Sequence, residues 1–253
     1  MLNGSHTASS VESEVRWRLR VLCYRRVNQP PLSPWNAPDL VAGFAQSLPN
    51  AVLMRFAEDQ FWRSESRRVL DLGCGAGRNA IPLARLGWDV LGIDLSIPML
   101  SAATQRARDD HVADRCHVAL ARMDQIPVRN DSCDFVVAHG IWNLARSAAE
   151  FRRALGEAAR VARRGAGLFV FTFSRHTFPP ETEPVPGESF VFTQFSGQPQ
   201  CFLTDAQLVA ELAAVGFRLN PDVPFKEYNR PRPGTLRAGT APVIYEAAFR
   251  FDS

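Results

Sequence analysis

The stretch Val69–Ala80, VLDLGCGAGRNA, constrains this chain more than any other. An apolar strand end, Val69 and Leu70, runs into Asp71 and then into Gly73, Gly75 and Gly77. Glycine lets a backbone turn sharply and lets a ligand approach the main chain. A helix-like run, Asn79–Leu86, follows, and a helix start presents unpaired N–H groups. A tight strand-to-helix turn explains the glycines without any ligand, so the motif takes its meaning from its context. The context is Val90–Ser96, VLGIDLS, a second apolar strand ending in Asp94, 17 positions after Gly77. In doubly wound sheets an acid at the end of the second strand reaches the ribose hydroxyls of a bound nucleoside. A carboxylate is acceptor-only and takes two hydroxyl donors at once. Strand, glycine loop, helix, strand and acid form one βαβ unit.

The succession D-L-G-C-G-A-G-R-N-A and G-I-D-L-S resembles the first two motifs of class I S-adenosylmethionine-dependent methyltransferases. The run GRNAIPLARLGWDVLGIDLS is similar to their small-molecule branch, which includes tellurite-resistance-type enzymes. NAD-binding loops more usually read G-x-G-x-x-G. The resemblance is specific over residues 69–100, looser to 173, and faint at both ends of the chain. It implies an α/β fold: a doubly wound, mostly parallel seven-stranded sheet, Rossmann-like, with an N-terminal helical cap. Residues 1–62 would be tail and cap. Residues 63–253 would be the methyltransferase domain, with a loop insertion at about 175–203. The implied cofactor is S-adenosylmethionine and the implied partner a small-molecule methyl acceptor. Carried onto this chain, Gly73, Cys74, Gly75, Gly77 and Asn79 would approach the cofactor, with Asp71 near its methionine amino end. Asp94 would hold the ribose, Leu95 and Met123 would border the adenine, and His139 would stand at the same edge.

The third motif departs from the pattern. In ARMDQIPV, Ala121–Val128, the family usually has an acid five positions before the proline; here that place is Arg122, and the nearest acid is Asp124. A guanidinium cannot accept a hydrogen bond. Either Asp124 takes over the adenine contact or main-chain groups of Met123 do. After the fourth strand the chain reads A-H-G-I-W where amino-directed nucleic-acid methyltransferases carry a D/N-P-P-Y/F-like motif, which argues against base N-methylation.

Strands are predicted at Arg68–Leu72, Asp89–Ile93, Cys116–Leu120, Asp134–Ala138, Leu168–Phe173, Phe217–Leu219 and Val243–Phe251, the last antiparallel. Helices are predicted at Leu40–Leu48, Ala51–Trp62, Gly77–Leu86, Pro98–Arg108 with Ser96 as N-cap, Phe151–Arg163 and Thr204–Val215. Phe56, Gln60, Phe61 and Trp62 would pack on the sheet. Val15–Arg26 fits a short amphipathic element but also alternates like a strand; it would cover the domain or form a lid offering Tyr24 or Arg25. Asn28–Asp39 holds four prolines and cannot be a regular helix; its Trp35 is either an anchor or a pocket wall. Arg230–Thr240 reads as a loop.

Composition excludes several classes. A hydrophobic fraction of 46% with 22% charged residues is that of a globular chain. No apolar run approaches the roughly 18 residues a membrane span needs. The polar start MLNGSHTASSVESE lacks the apolar core of a signal peptide, so a cytoplasmic location is expected and no membrane partner. A net charge of +3 is too small to argue for nucleic acid. The five cysteines are scattered without paired spacing, so neither metal site nor disulfide framework is expected.

Methyl transfer from a sulfonium is an in-line displacement in which a protein supplies alignment and a dry site. A base is needed only where the acceptor arrives protonated. His139 and His176 follow the fourth and fifth strands and are the candidate catalytic bases. Trp35, Trp142, Asn143 and Arg175 are the candidate acceptor contacts, Arg175 for an anion. RNA or protein methylation, a cofactor-binding protein without catalysis, and an NAD-dependent reductase are the alternatives.

Overall fold

The structure, a computed structural model, describes residues 33–230 and 241–252. The predicted element at Val15–Arg26 and most of the loop predicted at Arg230–Thr240 lie outside the described residues. The strands are β1 (Arg68–Leu72), β2 (Asp89–Asp94), β3 (Cys116–Leu120), β4 (Cys133–His139), β5 (Ala162–Phe173), β6 (Val191–Phe192), β7 (Gln200–Cys201), β8 (Phe217–Leu219), β9 (Lys226–Tyr228) and β10 (Ile244–Phe251). The helices are α1 (Pro38–Gln46), α2 (Ala51–Arg63), α3 (Ala80–Arg85), α4 (Ile97–Asp109), α5 (Ala148–Val161) and α6 (Asp205–Ala214).

The main sheet runs β3-β2-β1-β4-β5-β10-β8, parallel through β5, with β10 antiparallel to β5. Helices pack on both faces, giving the expected doubly wound, mostly parallel Rossmann-like sheet of the methyltransferase fold. Where seven strands were expected, an eighth, β9, also pairs with β10. β8 and β9 share one edge of β10, and Pro221 and Pro224 lie in the stretch between them. Proline has no N–H to donate, which breaks what would be one strand into two.

The central strands are apolar at successive positions because both their faces are buried. Leu70, Val136, Leu168 and Val170 pack under α5 and α6, whereas Val69, Phe135, Val137 and Phe169 pack under α2 and α3. α2 buries Leu53, Phe56, Ala57 and Gln60, a stripe at helical spacing. Trp62 falls off that stripe and is 80% exposed, a correction to its predicted packing on the sheet. Phe61 does pack inward, edge-on to Trp88 at 5.5 Å.

Caps fix several boundaries. Ser96 accepts from Met99 N at 3.3 Å, and Thr204 forms a capping box with Gln207. Ser147 accepts from Glu150 N and starts α5 three residues earlier than predicted. α3 begins at Ala80 rather than Gly77, because residues 75–79 form turns. Among the described residues no helix is long and apolar enough to cross a membrane, and no cluster of side chains could hold a metal.

Candidate active site

The carboxyl ends of the parallel strands bring the glycine loop, Asp94, His139 and the turn after β5 to one edge of the sheet. Gly73 N and Cys74 N donate to Ile93 O at 2.8 and 3.1 Å, tying the loop after β1 to β2. Gly73 has φ +66°, and a Cβ there would meet Ile141 Cδ1 at 2.7 Å. Only glycine satisfies both the left-handed backbone and that close approach. Cys74 is buried, its Sγ against Gly92, so it is a packing residue whose thiol burial pushes far up.

Asp71 is the outlier of the region. It is 1% exposed, and neither carboxylate oxygen has a hydrogen-bond partner among the described residues. Burial pushes its carboxyl up to about 7, against the lowering field of Arg78 and with a further push from Asp94. A buried, unpartnered carboxyl is costly and calls for a ligand. Arg78, one residue past the last glycine, is half-buried, and its guanidinium lies 2.8 Å from His139 Nδ1. Burial and that guanidinium push His139 down to about 3. Its ring is therefore neutral, accepts from Arg78, and stacks on Phe171 at 4.1 Å. A base that charges only near pH 3 is a poor proton acceptor at neutrality, which removes the physical ground for His139 as general base.

Asp94 spans the loop and the next helix, accepting from Gly75 N through Oδ2 at 3.0 Å and from Ser96 N through Oδ1 at 2.8 Å. Burial raises its pKa despite these donors. Leu95 beside it is exposed. Trp35 sits here too: its carbonyl accepts from Ser96 Oγ at 3.1 Å and its ring meets Phe44 of α1 edge-on. Trp35 thus belongs to the β2 end, beside Asp94.

The other predicted residues divide. Asn79 is buried and accepts from Asn50 N at 3.2 Å. Met123 is half-buried against the core. Asp124 is held by Arg122 at 2.7 and 3.0 Å and approached by Arg153 at 3.5 Å. Burial would raise its pKa, but these guanidinium groups outweigh it and lower it. Its lone pairs therefore already face cations. Trp142 is fully buried edge-on to Phe151, a core side chain rather than a pocket border. Asn143 is buried with Oδ1 unpartnered. Arg175 donates to the carbonyls of Phe178, Pro179, Pro180 and Thr182, so its guanidinium organises the loop after β5 and is not open to an anion.

Four residues of this edge carried no motif. Asn50 caps α2 through Oδ1 and donates through Nδ2 to Glu246 at 2.7 Å, with Nδ2 3.4 Å from His139 Nε2. Tyr228 donates to the other Glu246 oxygen at 2.7 Å. Glu227 receives Ser174 Oγ at 2.9 Å and meets His176 Nδ1 at 2.5 Å. A glutamate inside an apolar terminal strand, as in IYEAAF, is the one signal that could have flagged Glu246. A groove of about 460 Å³ beside Phe61, Arg67, Gly87 and Arg115 lies at the opposite edge, by the amino ends of the strands.

Residues 69–165 match the family described as a methyltransferase domain. Over this segment, less than half of its length, the chain is similar to a methyltransferase domain. The matched segment runs from β1 through α5 into the start of β5, and so contains the glycine loop, Asp94 and His139. The domain is similar to a demethylmenaquinone methyltransferase of Lactiplantibacillus plantarum, 33% identical over 120 residues, 46% of this chain and 49% of that one. The chain thus spans about half the length of such relatives. Among solved structures it is similar to an S-adenosylmethionine-dependent methyltransferase from Methanosarcina mazei (TM-score 0.55, 22% identity, 73% of this chain and 92% of that one). It is also similar to the [4+2]-cyclase SpnF (TM-score 0.60, 18% identity, 82% and 85%). At those identities the structures share the fold, and a fold by itself does not fix a reaction.

The residues present fit the family's cofactor. The methionine end of S-adenosylmethionine is a zwitterion, and the loop offers it the unpartnered Asp71 carboxylate and the Arg78 guanidinium side by side. The exposed Leu95 and the Asp94 carboxylate offer the nucleoside an apolar border and an acceptor.

Proposed function

We propose that the protein is an S-adenosylmethionine-dependent methyltransferase acting on a small-molecule acceptor. The observation that carries this reading is Asp71, a buried carboxyl with both oxygens unpartnered beneath a glycine loop. When bound, the cofactor supplies an electrophilic methyl group on a sulfonium. Asp71 receives the ammonium of its methionine end and Arg78 the carboxylate, as opposite charges at hydrogen-bonding range demand. Asp94 accepts from the ribose. Because Asp124 is taken by Arg122 and Arg153, the adenine contact falls to main-chain groups at Met123. Trp35 and α1 lie over the nucleoside side, against the start of α4.

The acceptor side is formed by the ends of β4 and β5, Asn50 from the N-terminal segment, and the loop after β5. The demethylmenaquinone relatives make quinols natural first compounds to try, and the likeness of residues 77–96 to tellurite-type enzymes adds chalcogen oxyanions.

Calorimetric titration with S-adenosylhomocysteine, with NADH as control, tests the reading. Micromolar binding of the first and none of the second is the expected result. Binding of NADH alone, or of neither ligand, overturns it. Binding of S-adenosylhomocysteine without turnover on any small acceptor, RNA or protein would instead support a binding protein without catalysis.

A further inference from the structure

The two histidines of the carboxyl edge differ in what surrounds them, and the difference bears on the acceptor. We propose that His176, positioned by Glu227, accepts the proton of the methyl acceptor, and that the acceptor is a compound with a weakly acidic phenol- or enol-type hydroxyl. This rests on the methyltransferase reading above.

The backbone after β5 turns through a short 3-10 segment, Arg175–Thr177, fixed by His176 N donating to Ser174 Oγ at 3.1 Å. β9 carries Glu227 in register with Tyr245 of β10, which brings its carboxylate onto the same turn. Glu227 Oε1 lies 2.5 Å from His176 Nδ1 and also receives Ser174 Oγ. Arg230 donates to Oε2 at 3.1 Å. A carboxylate only accepts, so the proton of the neutral imidazole sits on Nδ1 and the lone pair on Nε2. Nε2 has no hydrogen-bond partner among the described residues, and the side chain is 35% exposed. A histidine held in one tautomer by a carboxylate, with its other nitrogen open, is a general base in geometry.

The groups facing His176 are Glu227, the Tyr245 hydroxyl at 3.3 Å and, through Glu227, Arg230. Arg175 on the same turn points into the carbonyls of residues 178–182 and adds no contact to the ring. His139 contrasts at every point: a guanidinium sits on its Nδ1 and its charged form is disfavoured. Of the two, only His176 has a counter-charge for the imidazolium that proton transfer would create. Half-buried Phe171 and Phe173 at the end of β5, with Phe195 packed on Phe173 at 5.4 Å, give this edge an aromatic lining suited to a planar acceptor.

The step balances without another reactant. The hydroxyl proton passes to His176 Nε2. The electron pair left on oxygen forms the bond to the transferred methyl carbon, and the carbon–sulfur pair stays on sulfur. The imidazolium then returns its proton to solvent. Acceptors that arrive with a free lone pair, such as tertiary amines, need no such group.

The test uses the full chain as wild type, His176→Asn, Glu227→Gln and Tyr245→Phe. S-adenosylhomocysteine binding is measured for each, then methyl transfer to simple phenols and β-diketones across pH, with trimethylamine as control acceptor. Nitrogen-15 spectra of the imidazoles report the tautomer without turnover. The expected result is unchanged S-adenosylhomocysteine binding in all four proteins and an Nδ1-protonated His176 in the wild type. His176→Asn should lose about 100-fold or more in kcat on phenols, with the acid limb of the profile gone. Glu227→Gln should lower kcat on phenols while leaving S-adenosylhomocysteine binding unchanged, because the carboxylate that orients the imidazole has been replaced. A merely structural staple would move stability and leave the limb in place. Transfer by His176→Asn within threefold of wild type, an Nε2-protonated tautomer, or transfer to trimethylamine but to no phenol each overturns the proposal. Absent S-adenosylhomocysteine binding by the wild type would instead remove the reading it rests on.

Discussion

Asp71 in one half of the sheet is held differently from Glu227 and Glu246 in the other. In the half built from β1 to β4, Asp71 is left with both oxygens unpartnered, and the loop after β1 carries three glycines with left-handed backbone. In the half built from β5 to β10, Glu227 and Glu246 are closed into networks with Ser174, His176, Arg230, Asn50 and Tyr228. An open buried charge costs stability until a ligand answers it, whereas a closed network holds its shape alone. On the proposed reading the first half is therefore organised for one particular cofactor. On the same reading the second fixes side chains in place for the acceptor.

The largest effect is expected from Gly73→Ala. The left-handed φ and the 2.7 Å approach to Ile141 should together cost about 2–4 kcal/mol of stability. A melting temperature within a degree or two of wild type would mean the loop is not held as described. Asp71→Asn comes next. It should weaken S-adenosylhomocysteine binding by about 1.5–3 kcal/mol, the range for a hydrogen bond to a charged group. It should also abolish a pH signature. With Asp71 raised to about 7 from 3.8, the free protein holds that proton below neutrality, and the ligand ammonium favours the ionised form. Binding near pH 6 should thus release a proton, read as a dependence of the calorimetric heat on buffer ionisation, and binding near pH 8.5 should release none. In the free protein the raised pKa stabilises the fold below about pH 4, and that contribution is lost as pH rises towards 7.

Asp94→Ala should weaken binding by a similar or smaller amount, about 1.5–3 kcal/mol, and unchanged affinity would remove the ribose assignment. Glu246→Gln sharpens the division from the other side. It should leave S-adenosylhomocysteine affinity within twofold while lowering stability by about 1 kcal/mol, and a loss as large as that of Asp71→Asn would merge the two halves into one site. The smallest effect is expected from Arg122→Gln, whose partly exposed ion pairs are worth about 0–1 kcal/mol. Unchanged affinity there supports main-chain reading of the adenine; tighter binding would return the contact to a freed Asp124.

Much of the first half was legible because its chemistry is local in sequence. Strand, glycines and acid lie within Arg68–Ser96, and their order along the chain is their order around the ligand edge. The doubly wound sheet followed from the same alternation of apolar strands and helices. The second half was not legible, because its contacts join distant positions. Asn50 reaches Glu246 across 196 residues and His176 reaches Glu227 across 51. Trp142 read as a pocket residue because it follows a strand end, and Arg175 because a guanidinium there could meet an anion. Burial against Phe151 decided the first and four loop carbonyls the second.

What the sequence determined by itself was the βαβ unit, its glycine loop and the two acids near the carboxyl ends of β1 and β2, since these depend on backbone freedom and residue order alone. Tertiary structure decided which charges stay open. Whether a carboxyl or imidazole is free, paired or pushed off its usual pKa depends on the neighbours that the antiparallel β10 and the N-terminal helices bring to it, and electrostatic energies follow distance in space rather than separation along the chain.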